Sequence, residues 1–337
     1  MEKIRVAING FGRIGRVFLR QAFKNSNLEI VAINDIADVD ILGHLLKYDS
    51  VHRAFPANVE ILTDGFLIDG HKIQMLHEPD PANLPWKSLN IDVVIESTGL
   101  FTKRKDAIKH VEQAGAKKVI ISAPSKDEDN VIKHVVLGVN DEIIDKNDVI
   151  ISNASCTTNN IAPLIYILDK YWGIEKGFIS TVHSYTQDQN LIDAPHRDYR
   201  RARAAAYSIV PTTTGAAKAA TKIFPHLENN LGGGGIRVPV PDGSLTELTC
   251  TLSKPTSAEE INQAFLEASK NGLKGILEYT EDPIVSVDVI GNTHSTLFDS
   301  LLTAVLGDKN KLVKVVGWYD NEVGYSSRLV ELIQKFV

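Results

Sequence analysis

The feature that most constrains this chain is a glycine turn caught between a strand and a helix near its start. Ile4-Arg5-Val6-Ala7-Ile8 is short, apolar and β-branched, the pattern of a buried strand. It runs into Asn9-Gly10-Phe11-Gly12-Arg13-Ile14-Gly15-Arg16, after which Val17, Phe18, Leu19, Ala22 and Phe23 recur at helical spacing. Gly10, Gly12 and Gly15 form a G-x-G-x-x-G, which by itself marks only a tight strand-to-helix turn. A second strand, residues 28–33, then ends at Asp35, twenty residues beyond Gly15, where a carboxylate can take the hydroxyls of an adenosine ribose. Glycines let the backbone approach a pyrophosphate lying at the helix N-terminus. Together these parts predict an α/β, Rossmann-type doubly wound fold that binds a dinucleotide.

The following segments extend that sheet. Residues 91–96 and 118–121 are apolar strands that end in Ser97-Thr98-Gly99 and Ser122-Ala123-Pro124, and residues 134–139 and 149–152 supply further strands. Helices are expected over residues 38–48 and 103–115, and Asp64-Gly65 and Asp69-Gly70 read as hairpin turns. Strand ends rich in Gly, Ser and Thr suit a ligand crossing the top of the sheet, so residues 1–154 form the cofactor domain. Beyond residue 155 the grammar changes to alternating strands with few helices. These are residues 177–185, 236–238, 245–252, 284–290 and 312–319, an α+β domain with a mainly antiparallel sheet over 155–319. Leu231-Gly232-Gly233-Gly234-Gly235 reads as a flexible loop, and residues 322–336 as a helix.

Composition narrows the class. With 43% hydrophobic and 23% charged residues the 337-residue chain has the balance of a soluble globular enzyme. A net charge of −6 gives no general attraction to nucleic acid or anionic membrane. Two cysteines cannot build a disulfide framework, which fits a reducing compartment. The strand pattern begins at once, leaving no room for a signal peptide, and no apolar run approaches the roughly 18 residues of a membrane span. The expectation is a cytoplasmic protein.

One of the two cysteines, Cys156, lies in Ser152-Asn153-Ala154-Ser155-Cys156-Thr157-Thr158-Asn159, where a strand ends and a helix begins. Free backbone N–H groups and the helix dipole favour thiolate there, and the polar neighbours argue against a merely buried cysteine. His183 closes an alternating strand in Thr181-Val182-His183-Ser184-Tyr185-Thr186. An imidazole beside a thiol lowers its pKa and serves as acid and base in its reactions. No CxxC or HExxH occurs, so no metal is expected. Arginines cluster in residues 197–203, followed by Thr212-Thr213-Thr214-Gly215 at a helix start, a plausible phosphate site. Arg237, alone in an apolar strand, needs an anion from protein or ligand.

These segments, with Arg237-Val238-Pro239 and Trp318-Tyr319-Asp320-Asn321-Glu322-Val323-Gly324-Tyr325, resemble the phosphorylating glyceraldehyde-3-phosphate dehydrogenase family from residue 4 to the tail. The resemblance implies a homotetramer that converts glyceraldehyde 3-phosphate, inorganic phosphate and NAD to 1,3-bisphosphoglycerate and NADH. It implies Cys156 as nucleophile and His183 as its activator. It implies Ser155, Thr157, Thr186, Arg203, Thr214, Gly215 and Arg237, with Cys156, as binders of substrate and inorganic phosphate. Gly10, Gly12, Arg13, Ile14, Gly15, Asp35, Thr98, Gly99, Ser122 and Asn321 are the implied cofactor contacts, Asn321 orienting the nicotinamide amide. It also implies that the C-terminal helix, residues 320–337, returns to the cofactor domain. Two departures stand out: Pro79 occupies a position where the family often has an arginine near the adenine, and Asn160 replaces a second cysteine of many members, leaving Cys156 without a disulfide partner. Cys250, in an apolar strand, reads as core.

Two other readings remain open at this point: erythrose-4-phosphate dehydrogenase, a relative with the same Cys-His core, and a nucleotide- or RNA-binding scaffold without catalysis. The intact Thr214-Gly215-Ala216-Ala217-Lys218 favours the triose enzyme over the first, and the acidic balance argues against the second. Asp35 would repel a 2′-phosphate, so kcat/KM with NAD should exceed that with NADP; equal values would refute this reading of the carboxylate.

Overall fold

The computed structural model describes residues 2–127 and 131–337, which divide into two compact units. The first holds residues up to 135 with 142–154 and 326–337. In chain order it contains β1 (Ile4–Asn9), α1 (Arg13–Ala22), β2 (Leu28–Asn34), α2 (Val39–Lys47), β3 (Val59–Leu62), β4 (Gly65–Ile68), β5 (His71–Leu76) and β6 (Val93–Glu96). Then follow α3 (Arg104–Ala107), α4 (Lys109–Glu112), β7 (Lys118–Ile121), β8 (Lys133–His134) and β9 (Ile150–Ser152). Among the described residues the strands form one sheet in the order β3-β4-β5-β2-β1-β6-β7-β9-β8. From β5 to β8 every neighbouring pair is parallel, and β3, β4 and β5 are joined by antiparallel hairpins. The strand order reverses between β1 and β6, the place where doubly wound sheets open a crevice for a ligand. Ala7, Val94, Val119 and Ile121 from the central strands meet Trp86, Ala107 and Ala114 in one buried cluster. Parallel strands buried on both faces read as continuous apolar runs, which is why these elements were predictable.

The second unit holds residues 136–141 and 155–325. Its elements are α5 (Cys156–Trp172), β10 (Ile174–Ser184), β11 (Val210–Thr212), α6 (Ala216–Ile223), β12 (Leu231–Val238), β13 (Ser244–Thr256) and α7 (Ala258–Lys270). β14 (Leu277–Thr280), β15 (Thr296–Asp299), β16 (Ala304–Val305), β17 (Asn310–Tyr319) and the start of α8 (Val323–Phe336) complete it. The sheet runs β11-β12-β10-β13-β17-β15-β14 with β16 on β17, and is antiparallel except for the β10/β12 and β14/β15 pairs. Among the described residues no helix is long and apolar enough to cross a membrane.

Four expectations need correcting. The glycine run 231–235 is the first half of β12, not a loop, because close packing demands it: a Cβ on Gly232 would lie 2.7 Å from the Phe178 ring and one on Gly233 2.7 Å from the Ile179 carbonyl oxygen. Residues 284–290 are not a strand; Asp288 accepts the Val285 amide at 2.8 Å and closes a 3-10 turn over Ser286–Val289. Strand pairing in residues 134–139 stops at His134, since the Asn140 side chain takes the Val136 amide at 2.8 Å. Residues 320–325, expected with the cofactor domain, cluster with the second unit, where Asp320 accepts the Gly291 amide and Asn321 binds two serines.

Beneath the crevice of the first sheet, the ends of three parallel strands are tied by one buried carboxylate. Glu96 Oε2 accepts from Asn9 Nδ2 at 2.6 Å and from His110 Nε2 at 3.2 Å; Oε1 accepts from the Thr98 amide at 2.9 Å and from the Thr98 hydroxyl. Trp86 Nε1 donates to His110 Nδ1 at 2.9 Å, which leaves the ring proton on Nε2, facing Glu96. Asn9 in turn accepts from Asn34 Nδ2 at 2.7 Å, and Asn34 brackets the Glu78 backbone with both ends of its amide. Four donors around two oxygens require an acceptor-only group. Glu96→Gln turns two amide hydrogens against those donors, so urea unfolding of the variant should show a loss of about 2–4 kcal/mol; an unchanged midpoint would mean the network is not held by the charge.

Candidate active site

The glycine turn has the geometry a pyrophosphate needs. Gly10 adopts φ 93 and lies so close to the end of β6 that a Cβ would come within 2.6 Å of the Thr98 amide nitrogen. A Cβ on Gly15 would meet the Gly10 carbonyl oxygen at 2.2 Å, so α1 can start this close to the turn only from glycine. Around Gly12, by contrast, there is open space, and no side chain caps α1. A phosphate therefore fits against the helix start, where Arg13 and Ile14 are the first two helical residues. Asp35 lies beside this turn, its Oδ2 accepting the Phe11 amide at 2.7 Å and its Oδ1 the Ala37 amide at 3.0 Å. The Arg13 guanidinium is engaged by Asp49 at 2.7 Å. Thr98 and Gly99, at φ 74, follow β6, and Ser122 follows β7, donating its amide to the Glu96 carbonyl at 2.9 Å.

In the second unit the thiol is built into the first turn of α5. Ala154 precedes it at φ 52, a left-handed conformation costly for a residue with a Cβ. Ser155 then caps the helix, its hydroxyl accepting the Thr158 amide at 3.1 Å, and Cys156 is the first helical residue. Asn160 Nδ2 reaches the Trp318 carbonyl at 3.2 Å, and Thr296 Oγ1 donates to the Asn160 carbonyl at 2.6 Å, which fastens the same helix to β15 and β17. Position 160, where the family resemblance leads one to expect a cysteine, is thus filled by a packing amide.

The imidazole arrives from the end of β10. Cys156 Sγ lies 3.5 Å from His183 Nε2. β10 and β12 pair in parallel with His183 directly opposite Arg237, and Arg237 Nη1 lies 2.7 Å from His183 Nδ1 and 2.9 Å from the Ser184 carbonyl oxygen. A guanidinium has donors only, so with Arg237 in this place Nδ1 accepts and Nε2 carries its proton toward sulfur. Burial and the Arg237 charge hold the His183 pKa down to about 3. Burial raises the Cys156 thiol above its ordinary range, and Arg237 and the bonds from Thr157 pull it back. Cys250 has no such cation, and burial alone pushes it up to about 12. The two thiols differ in electrostatics, and only Cys156 has a base beside it.

The remaining predicted anion ligands divide. Thr157 Oγ1 shares a 2.9 Å hydrogen bond with Tyr319 OH, and the Tyr319 ring stands edge-on to His183 at 6.0 Å. Thr186 closes a turn through Gln189, Thr214 Oγ1 accepts the Ala216 amide at 3.2 Å, and Gly215 is the N-cap of α6. Arg203 is not brought to the cluster; its Nε donates to Asp193 in an exposed pair at 2.8 Å. The arginine whose charge bears on both His183 and Arg237 is Arg201, which donates to Thr212 Oγ1 at 2.9 Å and pairs with Asp188. Nothing in Arg200-Arg201-Ala202-Arg203 distinguishes these side chains before the chain folds. Tyr319 was visible only as part of the Trp318-Tyr319-Asp320 segment, with no signal for its place beside His183.

Comparison with known proteins decides the family. Residues 4–104 match the glyceraldehyde 3-phosphate dehydrogenase NAD binding domain, and residues 155–321 match the C-terminal domain of the same enzyme. The chain belongs to the glyceraldehyde 3-phosphate dehydrogenase family. It is 52% identical over 332 residues to glyceraldehyde-3-phosphate dehydrogenase of Priestia megaterium, covering 98% of this chain and 97% of that one. The enzyme named glyceraldehyde-3-phosphate dehydrogenase 1 of Bacillus subtilis is 51% identical over 330 residues, with the same coverage. The Thermotoga maritima enzyme is 53% identical over 332 residues, covering 98% of each chain. The glycine turn, Asp35 and Glu96 all fall inside the family's NAD binding domain, and Cys156, His183 and Arg237 inside its C-terminal domain.

The cation beside His183 makes a signed prediction. Arg237 lowers the pKa of both His183 and Cys156, so Arg237→Gln should raise both. Alkylation of Cys156 by iodoacetamide should then shift its pH midpoint upward by about one unit, an approximately tenfold slower reaction at fixed pH below the midpoint. A midpoint that holds or falls would show that Arg237 does not act on the thiol.

Proposed function

We propose that the chain carries out the phosphorylating oxidation of glyceraldehyde 3-phosphate to 1,3-bisphosphoglycerate with reduction of NAD, through a thioacyl intermediate on Cys156. The observation that carries this reading is the 3.5 Å approach of Cys156 Sγ to His183 Nε2, with Arg237 against the far side of the same ring. Cys156 passes its thiol proton to His183 Nε2, the thiolate adds to the aldehyde carbon, and the carbonyl oxygen takes that proton back to give a neutral thiohemiacetal. When bound, the nicotinamide ring supplies the hydride acceptor. His183 removes the thiohemiacetal hydroxyl proton as that hydride leaves, and a thioester remains. Inorganic phosphate attacks the thioester carbonyl, the C–S bond breaks, and Cys156 departs as thiolate with the acyl phosphate released.

His183 needs a bare Nε2 to act as this base. An anion that draws Arg237 away from Nδ1 lets Nδ1 hold the ring proton against the Ser184 carbonyl, 2.8 Å distant. Nε2 is then the open position. The proposed anion ligands are Arg237, Thr214, Gly215, Thr186, Ser155 and Thr157, with Arg201 in place of Arg203. The proposed cofactor ligands are Gly10, Gly12, Arg13, Ile14, Gly15, Asp35, Thr98, Gly99, Ser122 and Asn321.

Preference for NAD over NADP, a homotetrameric assembly and a cytoplasmic location are parts of the same proposal. Apolar side chains left in solvent support assembly: Phe178 is 70% exposed, Ile209 70% and Tyr207 90%. Sedimentation at the mass of a single chain would remove the tetramer. The defining assay is NADH formation from glyceraldehyde 3-phosphate with and without inorganic phosphate. Formation should depend on phosphate and fall by several orders of magnitude in Cys156→Ala. A rate indifferent to phosphate would sink the phosphorylating mechanism, and faster turnover of erythrose 4-phosphate would favour the sister activity.

A further inference from the structure

Asn321 is held in two separate ways. Its backbone is set by Asp320, whose Oδ1 accepts the amides of Glu322 at 2.8 Å and Val323 at 2.7 Å while Oδ2 accepts that of Gly291 at 2.7 Å. Its side-chain oxygen Oδ1 accepts two hydroxyls, Ser184 Oγ at 2.9 Å and Ser244 Oγ at 2.7 Å. Both serines are essentially inaccessible, at 0% and 1%. Ser244 Oγ also accepts the Ser184 amide at 3.1 Å, which orients its own proton toward Asn321.

An amide has two faces of opposite character, and rotation by half a turn exchanges its acceptor oxygen for its two donors. Rotating Asn321 would set an NH2 group against two buried hydroxyls and take away the acceptor to which both now donate. Each stranded donor carries a desolvation cost of about 1–3 kcal/mol. The serines therefore do more than fill space: they fix which end of Asn321 points away from them, and that end is Nδ2.

We propose that Ser184 and Ser244 are positioning residues that lock Asn321 in one amide orientation, so that it offers donors only and selects the carbonyl oxygen of the nicotinamide carboxamide over its amino group. This rests on the proposed role of Asn321 as a nicotinamide contact. Ser184 links the lock to the chemistry, because its carbonyl oxygen accepts from Arg237 Nη1 at 2.9 Å and lies 2.8 Å from His183 Nδ1.

The test is calorimetric binding to the intact apo-protein, comparing NAD with ADP-ribose, which lacks the nicotinamide. In Ser184→Ala/Ser244→Ala, NAD should bind up to about tenfold more weakly while ADP-ribose is unaffected, the scale of one well-oriented hydrogen bond. The acetylpyridine analogue of NAD keeps the carbonyl and lacks the amino group. It should bind wild type about as well as NAD and weaken in parallel with NAD in the variant. Unchanged NAD-to-ADP-ribose ratios in the double variant overturn the lock, provided Asn321→Ala lowers that ratio. Should Asn321→Ala also leave the ratio unchanged, the nicotinamide role of Asn321 falls first. Native ADP-ribose affinity reports that each variant is folded. If the double variant does not fold, the single variants decide, each expected to shift the ratio about threefold, and no shift in either overturns the proposal.

Discussion

The Cys156–His183–Arg237 cluster of the second unit depends on one strand register. β10 and β12 run in parallel, and their pairing sets His183 against Arg237 across the ladder. Side chains alternate along a strand, so a slip of one residue would turn Arg237 to the opposite face and leave His183 without its cation. The glycines of β12 permit this pairing. A Cβ on Gly233 would lie 2.7 Å from the Ile179 carbonyl oxygen, a backbone atom, whereas the ring beside Gly232 belongs to the exposed Phe178 and could swing aside. The last two residues of the paired stretch, Arg237 and Val238, then reach the site at a height fixed several residues earlier. The geometry of the cluster is in this sense a packing result before it is an electrostatic one.

The charge balance that follows is narrow. Cys156, His183 and Arg237 lie together, the histidine buried and the other two half-buried, where desolvation acts against every charged form. Burial raises the thiol and lowers the imidazole, and the guanidinium acts on both in the same direction, downward. For sulfur this works toward thiolate; for the ring it works against imidazolium. The result is a neutral imidazole beside a thiol eased toward ionisation, rather than a fixed ion pair. In the proposed mechanism, a site that binds anions in turn would gain from this arrangement, because the arginine is held on a ring nitrogen that it could exchange for a phosphate oxygen.

How much of this could be read from the chain differs by the kind of signal involved. The first sheet was legible because parallel strands leave continuous apolar runs, and because the glycine turn admits few alternatives to a strand before and a helix after. Cys156 and His183, which the fold brings to 3.5 Å, stood out because polar residues crowd a strand-to-helix junction and a strand end. What failed were cases where tertiary contact overrides local grammar. Four glycines in a row look like a loop unless the neighbouring Phe178 is known to press on them. Residues 284–290 alternate like a strand, yet one aspartate, Asp288, takes the Val285 amide and turns the backbone. Arg203 and Arg201 have the same sequence neighbourhood, and only the fold sends one to Asp193 and the other toward His183.

Strand alternation also explains how the end of β10 serves two purposes at once. Consecutive residues point to opposite faces, so His183 and Ser184 project to different sides of the same sheet. The His183 side chain meets Cys156 and Arg237, whereas the Ser184 hydroxyl meets Asn321. Between them the Ser184 carbonyl accepts from the guanidinium and lies 2.8 Å from the imidazole Nδ1, so one backbone group touches both sides. A displacement of this single strand end would disturb the base and the amide together. That coupling gives a reason for the heavy investment in fixing the strand from both flanks, by β12 on one side and by Ser244 at the head of β13 on the other.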